Sequence, residues 1–174
     1  MGQRVSAEES RATEWLLADA QASEQLGAVL ARTAAAAAQA WAERALIVFL
    51  CGDLGAGKTT LARGVLRELG VTGTVRSPSY TLLERYETPT AVGLHVDLYR
   101  LRGDEEVEAL GLRDELRAGV IMLVEWPERA LGALPPPDLR IELNVRGAGR
   151  AATIAALTVV GQNWLRRIES SLMR

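Results

Sequence analysis

The amino-acid sequence predicts a three-layer α/β domain with a mixed β-sheet and a C-terminal antiparallel hairpin. Three observations support this prediction. An apolar stretch leads into a glycine-rich loop and a helical pattern over residues 45–69, two later apolar stretches contain or end at an acidic residue, and residues 139–157 alternate about a glycine turn. Helices between strands favour parallel pairing, whereas a late hairpin adds antiparallel strands. At 174 residues, we expect one domain over residues 1–174.

The N-terminal region is predicted to hold one strand and one long helix. Residues 1–9 are polar, and we expect them to be frayed. Residues 12–17 contain Trp15 and two leucines and are predicted to form a first strand. Residues 19–43 are rich in alanine and are predicted to be helical, with Trp41 among the apolar positions.

The most specific pattern in the chain is a phosphate-binding loop. Residues 45–50 are apolar and predict a buried strand. The next segment, Gly52-Asp53-Leu54-Gly55-Ala56-Gly57-Lys58-Thr59, fits the pattern G-x-x-x-x-G-K-[ST]. Residues 60–69 have apolar positions at helical spacing, and Gly70 is expected to end that helix. Because strand, loop and helix follow in the required order, the sequence predicts a P-loop NTPase-like domain that binds a nucleotide.

The residue types in the loop suit phosphate chemistry. Its glycines allow backbone angles closed to other residues and leave room for phosphate oxygens. The N–H groups of the loop and of the helix N-terminus form an anion-binding concavity. We expect Lys58 to reach the β- and γ-phosphates and the Thr59 hydroxyl to ligate Mg²⁺. The predicted nucleotide-binding residues are Gly52, Asp53, Leu54, Gly55, Ala56, Gly57, Lys58, Thr59 and Thr60.

Two acidic residues are expected to complete this site. Residues 94–101 read as a strand that contains Asp97, and the apolar residues 120–124 predict a strand that ends at Glu125. Such groups project from the carboxyl ends of strands beside the loop. Glu125 suits a catalytic base or a residue that orients water, and Asp97 suits Mg²⁺, directly or through water. A solvated carboxylate is an equally good interpretation of Asp97. The predicted catalytic residues are Lys58, Asp97 and Glu125, and the predicted metal ligands are Thr59, Asp97 and Glu125.

The segment at residues 71–87 has two interpretations. Pro78 disfavours helix at Ser77, and Tyr80 and Leu82 alternate with polar residues as in a strand. Many nucleotide hydrolases keep a segment that senses the γ-phosphate at this place in the chain. A plain surface hairpin explains the pattern equally well.

Other residues near these motifs have simpler interpretations. His95 is the only histidine, and we expect a half-buried strand residue bonded to a neighbour rather than a metal ligand. Packing in the core is favoured for Trp126 over stacking on a ligand or partner. The candidates for pairing with phosphate or with an acid are Arg76, Arg100 and Arg129, and nothing identifies one of them as an arginine finger.

The C-terminal half is predicted to alternate short helices and strands. Residues 104–117 favour a helix interrupted at Gly111, and residues 139–145 and 150–157 predict a hairpin. Residues 163–173 predict an amphipathic helix. Its inward-facing residues are expected to be Trp164, Leu165, Ile168 and Leu172.

Composition limits the classes of partner. The formal net charge of -2 at pH 7 gives no overall attraction to nucleic acid or to an acidic membrane. The single cysteine, Cys51, excludes a disulfide framework and is interpreted as a small buried hydrophobic residue. No stretch has the length of a membrane span, and no basic segment followed by an apolar one begins the chain. We therefore expect a soluble, cytoplasmic protein without a membrane partner.

Together these motifs resemble those of the bacterial TsaE family, also called YjeE. The resemblance is strong over residues 46–137. The segments that carry it are GDLGAGKTTLARG (residues 52–64), SPSYTLLERYE (77–87), HVDLYRL (95–101), LGL (110–112) and VEWPER (124–129). The alanine-rich segment at residues 31–41 is longer than is typical of the family, so residues that contact adenine are not assigned.

The resemblance implies an α/β P-loop ATPase that binds ATP and ADP with Mg²⁺. It implies phosphate and metal roles for Lys58 and Thr59, functional acids at Asp97 and Glu125, and a switch-like loop at residues 77–81. It also implies partners of the TsaD and TsaB type, with tRNA reached only through their complex, and a chain that is monomeric when alone. The alternatives are a P-loop kinase of a small molecule and a nucleotide-dependent switch or binding module with little hydrolysis.

Overall fold

The computed structural model describes residues 12–36 and 43–173. Its centre is a seven-stranded mixed sheet in the order β1-β7-β6-β2-β5-β4-β3. The strands are β1 (Ala12–Leu17), β2 (Leu46–Cys51), β3 (Leu83–Glu87), β4 (Val92–Asp97), β5 (Val120–Glu125), β6 (Leu139–Arg146) and β7 (Gly149–Ala156). The helices are α1 (Ala20–Ala36), α2 (Lys58–Glu68), α3 (Asp104–Ala109), α4 (Leu112–Glu115) and α5 (Val159–Leu172), with a 3₁₀ turn at Pro127–Arg129.

The sheet is parallel at its centre and antiparallel at its edges. Strand β2 runs parallel to both of its neighbours, β5 and β6, and β4 runs parallel to β5. The pairs β3–β4, β6–β7 and β1–β7 are antiparallel. Strands β2 and β5 are buried along their whole length, which explains their unbroken apolar sequences. The predicted α/β fold, mixed sheet and C-terminal hairpin are confirmed.

Helices cover both faces of the sheet. On one face, Leu30 of α1, Leu61 of α2 and Trp164 of α5 pack with the sheet in a single apolar cluster. On the other face, Val107 and Leu112 belong to a second cluster with β4 and β5. Helices α1 and α2 cross closely, since a Cβ atom at Gly64 would lie 2.1 Å from the Glu24 carbonyl oxygen. This close crossing fixes the helix that follows the phosphate-binding loop.

Several predicted boundaries were wrong. The segment before β3 is not a strand at Tyr80 or Leu82, because the Leu82 N–H closes a turn onto the Pro78 carbonyl (2.7 Å) and Leu82 has φ 61°. Strand β4 begins at Val92 and ends at Asp97 rather than continuing to residue 101. The predicted interruption at Gly111 is confirmed by its φ of 63°.

The two long helices also differ from their predicted spans. Helix α1 is described over Ala20–Ala36, and Glu43, which was predicted to be helical, lies in a turn. Residues 1–9 and 37–42, with Trp41 among them, lie outside the described residues. Helix α5 begins four residues early, because the Thr158 side chain accepts a hydrogen bond from the Gly161 N–H and caps the helix. Leu172 was expected to face inward but is 38% exposed. In the described part of the chain, no helix has both the length and the apolar character needed to cross a membrane.

Candidate functional site

The sheet order brings the loop and the two predicted acids to one edge. Strand β2 leads into the loop, β5 lies directly beside β2, and β4 lies beside β5. In this register Leu50 is paired with Glu125, and Glu125 is paired with Asp97. All three strands are parallel, so their carboxyl ends meet at the same edge. The two acids therefore follow the loop outward in the order Glu125, then Asp97.

The loop has the backbone that its glycines were expected to allow. Gly52, Gly55 and Gly57 have φ angles of 127°, 80° and 106°, in the region that disfavours other residues. Gly52 also lies against the hairpin, since a Cβ atom there would be 2.2 Å from the Leu143 carbonyl oxygen. At Gly55 and Gly57 a Cβ atom would meet nothing within 4 Å. The open side of the loop leaves room for a phosphate group.

Lys58 is buried along the inner side of the loop. Its Nζ atom donates hydrogen bonds to the carbonyl oxygens of Gly52 (2.5 Å) and Asp53 (2.8 Å). The same atom lies 3.8 Å from the centroid of the Trp126 ring, a cation–π contact. Burial lowers the pKa of Lys58, and nearby acids, Glu125 foremost, oppose that shift.

Glu125 is the centre of a buried hydrogen-bond chain. The Thr59 hydroxyl lies 2.8 Å from Oε1 and 3.1 Å from Oε2 of Glu125. On the other side, Nε2 of His95 lies 2.8 Å from the same Oε1. Glu125 is only 2% exposed. This arrangement joins the phosphate-binding loop, β5 and β4 through one carboxylate.

His95 was expected to be half-buried, and that expectation was wrong. Its ring is fully buried, and Nδ1 has no hydrogen-bond partner among the described residues. The expected bond to a neighbour is present, but the neighbour is Glu125 at the candidate site. Residues two apart on a strand share a face, so the spacing of His95 and Asp97 was the signal that could have placed them together.

Asp97 is buried rather than solvated. It is 4% exposed, and its Oδ1 atom accepts a hydrogen bond from the Tyr99 N–H at 2.9 Å. Its Oδ2 atom accepts a hydrogen bond from the Ser77 hydroxyl. This second bond ties the polar segment at residues 77–81 to the end of β4. The segment therefore borders the candidate site.

These side chains line a cleft of about 500 Å³. Of the residues predicted to bind a nucleotide, Leu54, Gly55, Gly57, Lys58, Thr59 and Thr60 line it. Ser77, Asp97 and Glu125 also line it. Gly52, Asp53 and Ala56 do not line the cleft, and Ala56 is buried beneath the loop.

Aromatic and arginine side chains surround the mouth of the cleft. Arg100 lines the cleft and lies over the Tyr80 ring, with its guanidinium carbon 4.2 Å from the centroid. Trp126 packs against the core as expected, but it also lines the cleft and contacts the Tyr99 ring, with the centroids 4.9 Å apart and the ring planes tilted by 47°. Arg129 lies 5.6 Å from the Tyr99 ring centroid, outside the cleft lining.

The sequence of this chain matches the model of a known protein family. Residues 17–152 match the family model described as "Threonylcarbamoyl adenosine biosynthesis protein TsaE". The chain belongs to the TsaE family. TsaE proteins take part in the biosynthesis of threonylcarbamoyladenosine in tRNA.

Curated TsaE proteins from several bacteria are similar to this chain. The tRNA threonylcarbamoyladenosine biosynthesis protein TsaE of Haemophilus influenzae is 44% identical over 121 residues, which cover 70% of this chain and 77% of that protein. The protein of the same name from Bacillus subtilis is 34% identical over 125 residues, covering 72% of this chain and 77% of its own. The Streptomyces coelicolor TsaE is 38% identical over 125 residues, covering 68% and 82%.

A solved structure has the same fold. The crystal structure of Bacillus subtilis YdiB superposes with a TM-score of 0.71 and covers 93% of this chain and 97% of its own. Its sequence is 24% identical to this one. The TsaE match spans residues 17–152 and so includes the loop, both acids and most of the sheet.

Arg150, at the start of β7, also contacts the loop, although no sequence motif marks it. Its Nε atom donates to the Ala56 carbonyl oxygen at 3.1 Å, and Nη2 donates to that of Gly55 at 3.3 Å. Arg150 lies 94 positions from Ala56 in sequence, so no local pattern could reveal the contact. Only the return of the hairpin to the loop brings these residues together.

The donor set of this TsaE family member fits Mg²⁺. Thr59 supplies a hydroxyl oxygen and Asp97 and Glu125 supply carboxylates, the oxygen ligands that a hard cation prefers. The described residues contain no cluster of three or more His, Cys, Asp or Glu side chains that could hold a metal alone. A small donor set suits Mg²⁺, which is usually held by one or two carboxylates together with substrate phosphates.

Proposed function

We propose that this chain is a Mg²⁺-dependent ATPase that supports tRNA threonylcarbamoyladenosine formation by acting on a complex of TsaD and TsaB. The observation that carries the ATPase part is the contact between the loop hydroxyl of Thr59 and the Glu125 carboxylate, with Asp97 on the next strand. A loop for phosphate, oxygen ligands for Mg²⁺ and a buried carboxylate are the parts that hydrolysis of a phosphoanhydride requires.

The loop and Lys58 bind the phosphates of ATP. The free N–H groups at the start of α2 lie at the positive end of the helix dipole, and both favour a bound anion. Lys58 is already held at the loop by the carbonyl oxygens of Gly52 and Asp53. Exchange of those carbonyls for phosphate oxygens gives its ammonium group stronger, charge-assisted hydrogen bonds.

Thr59, Asp97 and Glu125 are the residues that would hold Mg²⁺. When bound, Mg²⁺ supplies positive charge that offsets the charge developing on the phosphate oxygens. The Thr59 hydroxyl is oriented by Glu125, and the Asp97 carboxylate is oriented by Ser77 and by the Tyr99 N–H. These bonds fix the donor atoms before ATP arrives, which lowers the cost of binding.

Glu125 orients the attacking water and accepts its proton. Its Oε1 atom is held by His95 and by the shorter contact from Thr59. Its Oε2 atom has only the 3.1 Å contact from Thr59, which leaves that oxygen more available to water. A base must lie within hydrogen-bond reach of its proton, and the γ-phosphate of a bound ATP would lie in the cleft beside the loop, next to Glu125.

Family membership and the surface around the cleft support the action on TsaD and TsaB. Leu54 and Tyr80 are among the most exposed large apolar side chains of the described residues, and both lie at the loop or at the segment that borders the cleft. A partner that covers them would also close the cleft and exclude water. The net charge of -2 gives no support for direct tRNA binding, so tRNA is reached through the complex.

The test is ATP hydrolysis by the purified chain, alone and then with TsaD and TsaB from the same source. We expect little turnover alone and a clear rise with both partners. Glu125→Gln serves as the control in both mixtures, because it abolishes turnover that arises from this site but not turnover from a contaminant.

Other outcomes would overturn the proposal in distinct ways. Fast turnover that is indifferent to the partners would favour a kinase of a small molecule and a search for its acceptor. Tight ATP binding with no turnover in either mixture would favour a switch module. A chain that binds no nucleotide at all would overturn the assignment of the cleft.

A further inference from the structure

We propose that Arg150 is a positioning residue that holds the phosphate-binding loop in its binding conformation from behind. The inference rests on the proposed nucleotide site and adds a residue that lies outside the loop motif. Arg150 belongs to the hairpin, at the start of β7, and faces the same side of the sheet as Ala152 and Ile154. It does not line the cleft.

The Arg150 guanidinium bridges consecutive carbonyl groups of the loop. Its Nε atom donates to Ala56 O at 3.1 Å, Nη2 donates to Gly55 O at 3.3 Å, and Nη1 donates to Gly149 O at 2.9 Å. A guanidinium group is planar and its donors are fixed relative to one another. Three acceptors therefore fix the group in one orientation, and that orientation in turn fixes the two loop carbonyls.

Holding these carbonyls sets the direction of the N–H groups that follow them. A trans peptide is planar, and its C=O and N–H bonds point in opposite directions. With Ala56 O directed to Arg150, the N–H of Gly57 is directed to the opposite side, where Gly57 lines the cleft. The N–H of Ala56 closes a turn onto Asp53 O at 3.1 Å. The N–H of Gly57 is therefore the group that Arg150 aims at a phosphate.

The loop needs such a restraint because Gly57 follows this peptide. Gly57 adopts positive φ here, but glycine also adopts negative φ at little cost. Rotation of the peptide between Ala56 and Gly57 would turn a carbonyl oxygen, instead of an N–H, toward the cleft. An anion would then face a negative group. A restraint from outside the loop removes that alternative before the nucleotide binds.

Arg150 is itself fixed by the sheet. It is paired with Leu17 of β1 and with Val145 of β6, so its backbone lies between two strands. The same hairpin approaches the loop at Leu143, whose carbonyl oxygen leaves no room for a Cβ atom at Gly52. The hairpin thus supports both ends of the loop, at Gly52 and at Ala56.

The experiment compares ADP binding by Arg150→Met and Arg150→Lys with that of the unaltered chain. Methionine keeps an unbranched side chain but donates no hydrogen bond, and we expect it to raise the Kd for ADP about tenfold, the loss expected for one charged hydrogen bond. Lysine restores a charge that can reach one carbonyl group. The Kd of Arg150→Lys for ADP should therefore lie between that of the unaltered chain and that of Arg150→Met. Arg146→Met is the matched control, because Arg146 is an exposed residue of the same hairpin whose nearest acid is 3.9 Å away at Glu14.

A second measurement separates positioning from a merely structural role. In the presence of TsaD and TsaB, Arg150→Met should raise the KM for ATP while kcat falls less than twofold, because bound phosphate itself holds the peptide. A loss of kcat as large as the rise in KM, together with a lower thermal midpoint of unfolding without ADP, would overturn the inference in favour of a structural role. If Arg150→Met does not fold, the comparison of Arg150→Lys with the unaltered chain decides.

The outcomes also separate this inference from the proposed function. If the unaltered chain binds ADP and Arg150→Met binds it equally well, the positioning role is wrong and the proposed function stands. If the unaltered chain binds no ADP, both are overturned.

Discussion

The Thr59 hydroxyl lies 2.8 Å from Oε1 of Glu125, which links the first turn of α2 to the carboxyl end of β5. Both groups are carried by rigid elements, since α2 begins at Lys58 and β5 is buried throughout. The pair is held further by His95 on β4. A loop that was identified by its sequence pattern is thus connected by hydrogen bonds to the acid that was identified by its position after an apolar strand.

Replacing Glu125 by glutamine should abolish turnover and spare nucleotide binding. The substitution keeps the size of the side chain but removes the charge and the basic oxygen. General-base catalysis contributes about 10²–10⁴-fold, so we expect turnover with TsaD and TsaB to fall by about that factor. The Kd for ADP, measured by titration, should change by less than about threefold, because the phosphates are bound chiefly by the loop and Lys58.

The matched control for this substitution is Glu128→Gln. Glu128 is an exposed acid three residues further along, in the 3₁₀ turn, and it does not line the cleft. Its substitution should leave turnover nearly unchanged. Normal hydrolysis by Glu125→Gln would show that the base lies elsewhere.

Replacing Lys58 by alanine should remove most nucleotide affinity. Lys58 is the cation of the loop, and the change also removes its bonds to Gly52 O and Asp53 O. We expect the Kd for ADP to rise by about a hundredfold, the loss of two charge-assisted hydrogen bonds. Arg67→Ala is the control, because Arg67 is a cation of the same helix that pairs with Glu24 on the surface. Similar losses in both variants would point to general electrostatics and not to the loop.

The central part of the fold was predictable because its signals are local. The strands β2 and β5 are buried on both faces and so are apolar at every position. The loop requires glycine at positions with positive φ, so its pattern is specific. Each acid was predicted from its place at the end of an apolar strand, which is also a local signal. The strand order that brings Glu125 and Asp97 beside the loop was seen only in the structure.

What could not be predicted depends on contacts between residues far apart in sequence. The Arg150 contact with Ala56 exists only because β7 returns beside β6 and brings its second residue, Arg150, to the loop. At Leu82 the N–H group donates to the Pro78 carbonyl oxygen and closes a turn. The alternation of apolar and polar residues there predicted a strand and gave no sign of this turn. The start of α5 was missed although Thr158 is a favourable N-cap residue.

The Cys51 thiol should be inert in the folded protein well above neutral pH. Burial is the largest cause that raises its pKa, from 9.0 to about 11. Between pH 9 and about pH 11 the thiol therefore stays protonated in the folded chain, whereas in the unfolded chain it loses its proton. At pH 9 the folded protein should react with iodoacetamide at least about fiftyfold more slowly than the chain in urea, since only the thiolate is nucleophilic.

The same pKa has a consequence for stability. Because the pKa of Cys51 is higher in the folded state, the protonated thiol contributes to the free energy of unfolding. This contribution is fully present below pH 9 and is lost as the pH rises toward 11. Cys51→Ala lacks this contribution. The free energy of unfolding of the unaltered chain should therefore fall more steeply between pH 9 and pH 11 than that of the variant. Rapid alkylation of the folded chain at pH 9, or identical slopes, would contradict the burial argument.

Replacing His95 by leucine should slow turnover by leaving the Glu125 carboxylate short of one donor. Because a carboxylate only accepts, the proton of the 2.8 Å contact lies on Nε2 of His95. Loss of a bond to a buried charged group costs about 1.5–3 kcal/mol, and we expect kcat with TsaD and TsaB to fall about tenfold or more.

His95→Gln is the matched variant, because its amide nitrogen can replace Nε2 as the donor. The Nδ1 atom has no partner among the described residues, so glutamine loses no hydrogen bond on that side. Recovery of kcat by glutamine, with KM nearly constant across the three proteins, would show that the donor and not the ring is what Glu125 requires. Equal kcat for leucine and histidine would show that Thr59 alone suffices to hold the carboxylate.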